Sequence, residues 1–582
     1  LILGMEGFAL SKVRTGACGF AAIAGVLLLA AGLRGAILFA GHRGLRSDEA
    51  VVGLMAKHIF TRGETPVFLY GQAYGGGHAM AAYLAAPLFA AFGRSAVLLD
   101  GTSMALSLVS VWLVWLIVRR HVGDAAAILA AALYAFSPPV VYQSYLVNGG
   151  TEAFFLALLA LYFFLRSYAR EEPDPRGQFL AGLFAGLAYW AMDYTLLYPV
   201  VFALLWLARG PFGHSQGRPE EDRMGGPERW RALARLAGGF LVGCLPLVVY
   251  NAAHHFEHFR QMYAPAAGAS AGFLEHFFGA VWGVFSGDLA AFFGGDIDDV
   301  HPAGPAAWVH AAVAMLAVAA LLYRHRAAIA LFLKSRRVPV TLLPAVFVIV
   351  YLGMYGVAKF SLPELRTPRY LLPLCPFVSM AIAIVVAGWT SARRWAGLAA
   401  IAFLVAAGAA ASLQIAMRPW HEEHRVRTSG IEIEKLAAAV EERGIRVAFA
   451  PYEIQWRLMF ATDERVLVSS LGISPGPALG QTSRYPPYDD AVLKMVGEGK
   501  KFAFIFRQDF GFAEWAAQGR TGGITRDIWR DACRRAGISP AGIPVGEEFV
   551  IFYPLDVSFL QTLWEAKEAA APTPAASAAS GR

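Results

Sequence analysis

Charge is scarce in this sequence. Only 16% of its 582 residues are Asp, Glu, Lys or Arg, against about a quarter in a soluble globular chain. Apolar residues make up 57%, and mean hydropathy is positive at +0.47. That composition is a polytopic membrane protein's, so chain length says nothing about the number of soluble domains. Cysteine is equally sparse. Of the four cysteines, Cys18, Cys244 and Cys375 fall in apolar runs and Cys533 stands alone in a polar region, which excludes a disulfide framework and a zinc-type cluster. No internal repeat is visible. The net charge of +7 comes largely from Arg in short loops and reads as membrane topology rather than a nucleic-acid footprint. The apolar runs themselves hold almost no charge, which weighs against an ion-coupled transporter or pump.

What is present is a succession of apolar runs. Ala17 to Ala40 is too long for a signal-peptide core and has no clear cleavage site, so it reads as an uncleaved span, entered from the cytoplasm after Lys12 and Arg14. Further spans fall at about 96–118, 125–141, 153–168, 236–250, 306–323, 341–358, 370–389 and 395–417. The block Phe179 to Ala208 has Arg-rich flanks on both sides, and a single helix of its length would overshoot a ~30 Å hydrocarbon core. Two short spans meeting near Met192-Asp193-Tyr194 satisfy both constraints. The expected total is eleven spans, with a large first outside loop at 41–95 and a second at 251–305 that carries an amphipathic aromatic segment from Phe273 to Phe293.

Everything after Met417 is then expected outside. Helical periodicity at Ile431 to Arg443, Glu453 to Phe460 and Ile524 to Ala536 alternates with strand patterns at Arg446 to Ala450, Arg465 to Ser469, Phe502 to Arg507 and Glu548 to Tyr553. The expectation is a transmembrane module over 1–417, an α/β domain over 418–568 and an Ala/Pro/Ser-rich disordered tail over 569–582.

The chemistry-bearing residues lie in the outside loops. Arg46-Ser47-Asp48-Glu49-Ala50 follows the first span and opens an amphipathic run. One reading of it is helix capping, with Ser47 at the N-cap and two acids in the first turn, although Ala50 stands where a full capping box needs Glu or Gln. The other reading is a catalytic base at the membrane surface. Tyr70-Gly71-Gln72 leads into the run Gly75-Gly76-Gly77-His78, Glu152 begins the fourth span, and Arg366-Thr367-Pro368-Arg369-Tyr370 opens the tenth. Carboxylates with nearby Arg suit chemistry on a phosphate-linked substrate held at the membrane surface.

These pieces resemble the GT-C glycosyltransferases, polytopic enzymes that use lipid-linked sugars. The chain is most similar to their protein O-mannosyltransferase and aminoarabinose transferase branch, the bacterial family-39-like members. The resemblance rests on Asp48-Glu49 at the start of the first loop, Tyr70-Gly71-Gln72 with the glycine run, Pro87-Leu88-Phe89, and Arg369-Tyr370-Leu371-Leu372-Pro373. The segments Tyr452-Glu453-Ile454, Leu458-Met459-Phe460 and Glu464-Arg465-Val466 look like uncharacterised bacterial members.

The resemblance implies inverting transfer of a hexosyl or pentosyl unit from a polyprenyl-phosphate donor to a hydroxyl of a glycan, lipid or protein. It implies a bacterial cytoplasmic membrane location, with the active site and C-terminal domain outside. Asp48 would be the general base, with Glu49 secondary. Arg366, Arg369 and Tyr370 would meet the donor phosphate. Tyr70, Gln72, His78 and Glu152 are candidates for substrate or metal contact. A divalent cation is the candidate cofactor, and no nucleotide is involved. Aminoarabinose transferases carry a metal-binding Glu followed by Lys near the position of His78, and this chain has neither there. Two alternatives remain: an O-antigen-ligase-like transferase with a diphosphate-linked donor, and a flippase or transporter of a lipid-linked sugar.

Overall fold

The computed structural model describes residues 17–40, 45–169, 174–208, 226–263, 273–294, 304–335, 338–358, 367–389, 391–417, 430–470, 484–508, 526–539 and 542–570. They form two compact units. The first comprises residues 1–41, 73–88 and 97–418, and the second 42–72, 89–96 and 419–582.

The first unit is helical. Helices α1 (Ala17–Ala40), α2 (Ser47–Arg62, in the second unit), α3 (Gly76–Phe92), α4 (Ala96–His121), α5 (Asp124–Ala135), α6 (Pro138–Ser144), α7 (Gly150–Tyr168), α8 (Pro175–Ala191), α9 (Leu197–Ala208), α10 (Gly226–Gly243), α11 (Leu245–Ala253) and α12 (Glu257–Tyr263) follow in order. Eight helices among the described residues are long and apolar enough to cross a membrane, and two bent pairs, α5 with α6 and α10 with α11, could each make one more crossing. The α5–α6 bend of 61° falls where Pro138 and Pro139 bring no amide hydrogens to continue the ladder.

The long apolar block does divide where expected. α8 ends at Ala191, Met192 is extended at φ −150°, ψ 123°, and a 3₁₀ turn Asp193–Leu196 leads into α9. The segment read as an amphipathic piece of the second outside loop is different. Leu274–Gly294 is a 21-residue helical run with the length and hydropathy of a span. A π-turn at Val284–Asp288 keeps it continuous while accommodating a buried Asp288. By length and composition the run joins the candidate crossings among the described residues.

The crossing of α8 with α10 depends on four glycines. A Cβ on Gly182 would stand 2.0 Å from the Leu236 carbonyl oxygen, and one on Gly186 would stand 2.1 Å from that of Phe240. Reciprocally, Gly239 and Gly243 lie against the carbonyls of Phe179 and Leu183, each at 2.1 Å from the position of the missing Cβ. Lipid tails provide no hydrophobic drive for two apolar helices to associate, so close backbone packing of this kind carries the contact.

The second unit is built on a five-stranded sheet of order β2-β1-β3-β5-β4, from β1 (Val447–Phe449), β2 (Leu467–Ser469), β3 (Phe502–Arg507), β4 (Ile543–Val545) and β5 (Phe549–Leu555). β1 pairs in parallel with β2 and β3, and β5 pairs antiparallel with β3 and β4. Four of these strands match the strand patterns in the sequence, whereas β4, only three residues long, was too short to register. Phe449, Phe504, Trp529, Phe552 and Phe559 fill one side of the sheet. Helix α2 belongs to this unit and packs on Tyr452–Ala461, with Gly53 leaving room for the Phe460 ring.

Candidate active site

In the second unit, α2 begins one residue earlier than Ser47 capping would have it. Arg46 is the extended N-cap residue, at φ −71°, ψ 163°, and Glu49 at N3 accepts the Arg46 N–H at 2.8 Å. Glu49 is 2% exposed and lies in the field of the buried Arg457 guanidinium, which burial pushes down to about 10 against the pull of Glu548 and Glu49. The two adjacent acids therefore do different things. Glu49 closes the helix start, a role worth about 1 kcal/mol.

Asp48 remains 48% exposed through its side chain. Its Oδ1 accepts the Tyr452 hydroxyl and lies 3.5 Å from Arg484 Nη1. Arg484 also sits over the Tyr452 ring, 4.5 Å from the centroid. Burial, and then the Asp48 charge, push the Tyr452 hydroxyl well above its usual range, so it stays a donor. Both contacts fall on Oδ1. Gly71 admits Arg484: its φ is +69°, and a Cβ there would stand 2.3 Å from the Arg484 Cα. Neither Tyr452 nor Arg484 was assigned a role from the sequence, because more than 400 residues separate Tyr452 from Asp48.

Tyr70 and Gln72 lie in the same unit. The Tyr70 hydroxyl donates to Glu64 and receives His58 Nδ1 at 2.9 Å. The far side of the His58 ring faces Glu464 at 3.1 Å and the Tyr488 hydroxyl at 3.2 Å. Lys57 and Arg62 also reach Glu464, at 2.6 and 2.7 Å. This network fastens α2 to the turn after Tyr452–Ala461. Burial raises the Glu464 carboxyl, but the bonds from His58, Lys57 and Tyr488 outweigh it and hold it far below the usual carboxylate range. A depressed carboxylate contributes stability that is present above its unfolded pKa and lost as pH falls, so the fastening is weakened by acid. Gln72 closes the turn through its N–H to the Leu69 carbonyl at 3.1 Å.

The first unit holds the remaining candidates. The glycine run starts α3 against the start of α7: a Cβ on Gly77 would stand 2.5 Å from the Gly149 Cα. His78 lies in the first turn of α3, half-buried, with its N–H on the Gly75 carbonyl at 3.1 Å. Glu152, on the first turn of α7, is 2% exposed. Both its carboxylate oxygens are buried without a hydrogen-bond partner among the described residues. It is therefore no interfacial acid snorkelling to water, as such a position allows. The Thr151 hydroxyl beside it donates to the Gln143 carbonyl at 3.0 Å, which fixes the start of α7 to α6.

Aromatic contacts link α7 to the Arg-Tyr segment. Phe154 stacks on Tyr194 at 5.9 Å, and Tyr194 meets Tyr370 edge-on at 6.5 Å. Tyr351 donates to the Tyr370 carbonyl. Arg369 is exposed, with Nη2 3.4 Å from the Tyr370 hydroxyl. Arg366 lies outside the described residues. His258, 2% exposed, bonds the Ala73 carbonyl through Nδ1 at 2.7 Å and lies 3.5 Å from Asp193 Oδ1.

The spans are less free of charge than their composition suggested. Arg34, 1% exposed within α1, donates to the Ala135 carbonyl at 3.2 Å and to Ser107 Oγ at 2.9 Å. It thus meets a carbonyl that the α5–α6 break leaves without a helical partner, one way an intramembrane cation is tolerated. Asp100 and Asp288 are also buried. Among the described residues no three His, Cys, Asp or Glu side chains converge to hold a metal ion.

Residues 78–215 match the family model described as dolichyl-phosphate-mannose-protein mannosyltransferase. The fold is similar to that of ArnT from Cupriavidus metallidurans bound to undecaprenyl phosphate, with a TM-score of 0.55, 12% identity and coverage of 91% of this chain and 98% of that one. The apo state of the same protein gives a TM-score of 0.53 at 13% identity, covering 85% and 95%. No curated protein sequence matches significantly. The chain is thus similar to that mannosyltransferase family over residues 78–215 and shares its overall fold with ArnT.

Proposed function

We propose that this chain transfers a hexosyl or pentosyl unit from a polyprenyl monophosphate to an acceptor hydroxyl, with inversion, and that Asp48 is the general base. The observation that carries this reading is the division of labour between the two acids. Glu49 is buried and occupied at the helix start, while Asp48 is anchored through Oδ1 and stays half-exposed. The carboxylate takes the acceptor hydroxyl proton as the oxygen attacks the anomeric carbon, and the lipid phosphate departs from the opposite face. Arg369, exposed at the start of its span, offsets the charge of that leaving group.

Polyprenyl monophosphate released in step with glycosylated acceptor, of inverted anomeric configuration, is the expected result with purified protein. Polyprenyl diphosphate as the lipid product would instead mark a ligase-like transferase. Translocation of donor across a vesicle without any lipid product would mark a flippase.

Arg369→Lys keeps the charge but loses the planar fork that grips two phosphate oxygens. The expected outcome is a donor KM raised roughly tenfold in Arg369→Lys and further in Arg369→Ala, with acceptor KM little changed. Unchanged donor affinity in both variants would refute the assignment and leave Arg366 as the alternative.

On this reading the second unit is extracytoplasmic. Cys533 cannot report this, because it is buried. The exposed Lys501 is a usable site. A Lys501→Cys variant is expected to react with a membrane-impermeant thiol reagent in intact cells, and labelling only after lysis would put the unit inside.

A further inference from the structure

His254, His255 and His258 stand close together in sequence, but only His258 is taken into the interior. Its Nδ1 is hydrogen-bonded to the Ala73 carbonyl at 2.7 Å, and its Nε2 lies 3.5 Å from Asp193 Oδ1, at ion-pair distance but without a hydrogen bond. Neutral imidazole has one N–H and one lone pair. Either neutral tautomer therefore points a lone pair at an oxygen, whether the carbonyl or the carboxylate. The Nδ1–H tautomer meets the carbonyl but turns the Nε2 lone pair toward the carboxylate, whereas the imidazolium puts positive charge there instead. The connection is structural as well as electrostatic. Ala73 leads into the glycine run that starts α3, and Asp193 opens the 3₁₀ turn between α8 and α9. The next residue, Tyr194, is the ring that touches both Phe154 on α7 and Tyr370.

We propose that His258 is a positioning residue: as the imidazolium it clamps the Ala73 carbonyl to the Asp193 carboxylate and so fixes Tyr194 beside Tyr370 and Arg369, where the donor phosphate binds. The link to donor binding rests on the Arg369 assignment made above. Asp193 is the charged group that faces the ring among the described residues. The Ala73 carbonyl and the Phe259 ring, at 5.4 Å, lie against its other sides. Burial lowers the basicity of His258, but the nearby Asp193 carboxylate outweighs it and brings the group above its ordinary 6.5. A histidine raised in the folded state stabilises fully below its unfolded pKa and loses that contribution as pH rises through the folded one. The clamp is therefore closed below the raised folded value and opens as pH climbs through it.

Two measurements on the full-length protein in nanodiscs test this. The first is NMR of 15N-labelled histidine, with His258→Asn used to assign the signal. At pH 6.5, where an ordinary imidazole is half protonated, the His258 ring is expected to be predominantly doubly protonated, and Asp193→Asn should return its titration toward the ordinary value. A neutral ring at that pH overturns the clamp, whatever the enzyme's activity. The second is the pH profile of donor KM. Wild type is expected to show a rise with increasing pH that His258→Asn flattens, and Asp193→Asn should raise donor KM roughly tenfold at about pH 6.5.

If the ring is an imidazolium, yet both variants match wild type in donor KM while Arg369→Ala does not, the positioning role is overturned and the headgroup site stands. If Arg369→Ala is also without effect, the headgroup assignment is what fails, and the NMR result decides the clamp by itself.

Discussion

Asp48→Asn should leave a folded, inserted protein that binds donor normally and transfers sugar at least about a hundredfold more slowly, since general-base catalysis is typically worth about 10²–10⁴-fold. The structure explains why folding should survive. The substituted amide keeps a side-chain oxygen to accept the Tyr452 hydroxyl, and the helix start is held by Glu49, not Asp48. Loss of a first-turn charge removes only about 0.3–1 kcal/mol. Glu49→Gln is the informative companion. It disturbs the capping bond and leaves a buried polar group less well satisfied, so it should cost about 1 kcal/mol of stability while turnover per folded molecule stays near wild type. Steady-state turnover and thermal stability of the two purified variants separate the roles. Near-wild-type transfer by Asp48→Asn would eliminate Asp48 as the base.

Gly186→Leu should abolish the folded protein. The missing Cβ would fall 2.1 Å from the Phe240 carbonyl oxygen, and neither backbone can yield without separating α8 from α10. Overpacking a close contact typically costs about 1–3 kcal/mol, and here the obstacle is backbone in a crossing that has little but close packing to hold it. The expected result is near-complete loss of monodisperse protein on extraction, with Gly239→Leu behaving alike. Gly238→Ala is the control. It neighbours Gly239 on the same helix, but nothing lies within 4 Å of its Cβ position. Replacing a helical glycine with alanine there should be neutral or stabilising by about 0.5–1 kcal/mol. Wild-type yield from Gly186→Leu would mean that the crossing is not held by backbone contact.

The contrast between Gly238 and Gly239 marks where sequence reasoning stops. Composition and Arg placement were enough to establish a polytopic membrane protein and to split the Phe179 to Ala208 block at Met192, because span length and flanking charge act locally along the chain. The strands at Val447–Phe449, Leu467–Ser469, Phe502–Arg507 and Phe549–Leu555 were legible for the same reason: a short run of β-branched and aromatic residues is a local signal. The Leu274–Gly294 run has an aromatic, one-sided pattern that suits an interfacial segment as well as a half-buried span, and its helix has the length of a crossing. Everything that depends on partners came only with the fold. Sequence could name Asp48 and Glu49 as a pair, but burial and the Arg46 amide decided which acid closes the helix and which stays half-exposed. Glu152 could be placed at a span start, yet its enclosure depends on α7 being packed. His258 and Asp193 lie 65 residues apart (258 − 193), and Arg34 reaches a carbonyl 101 residues away. No periodicity encodes such pairings, because they are set by which helices touch, and helix contact in a membrane is decided by surface shape far more than by the hydrophobic pattern that a sequence displays.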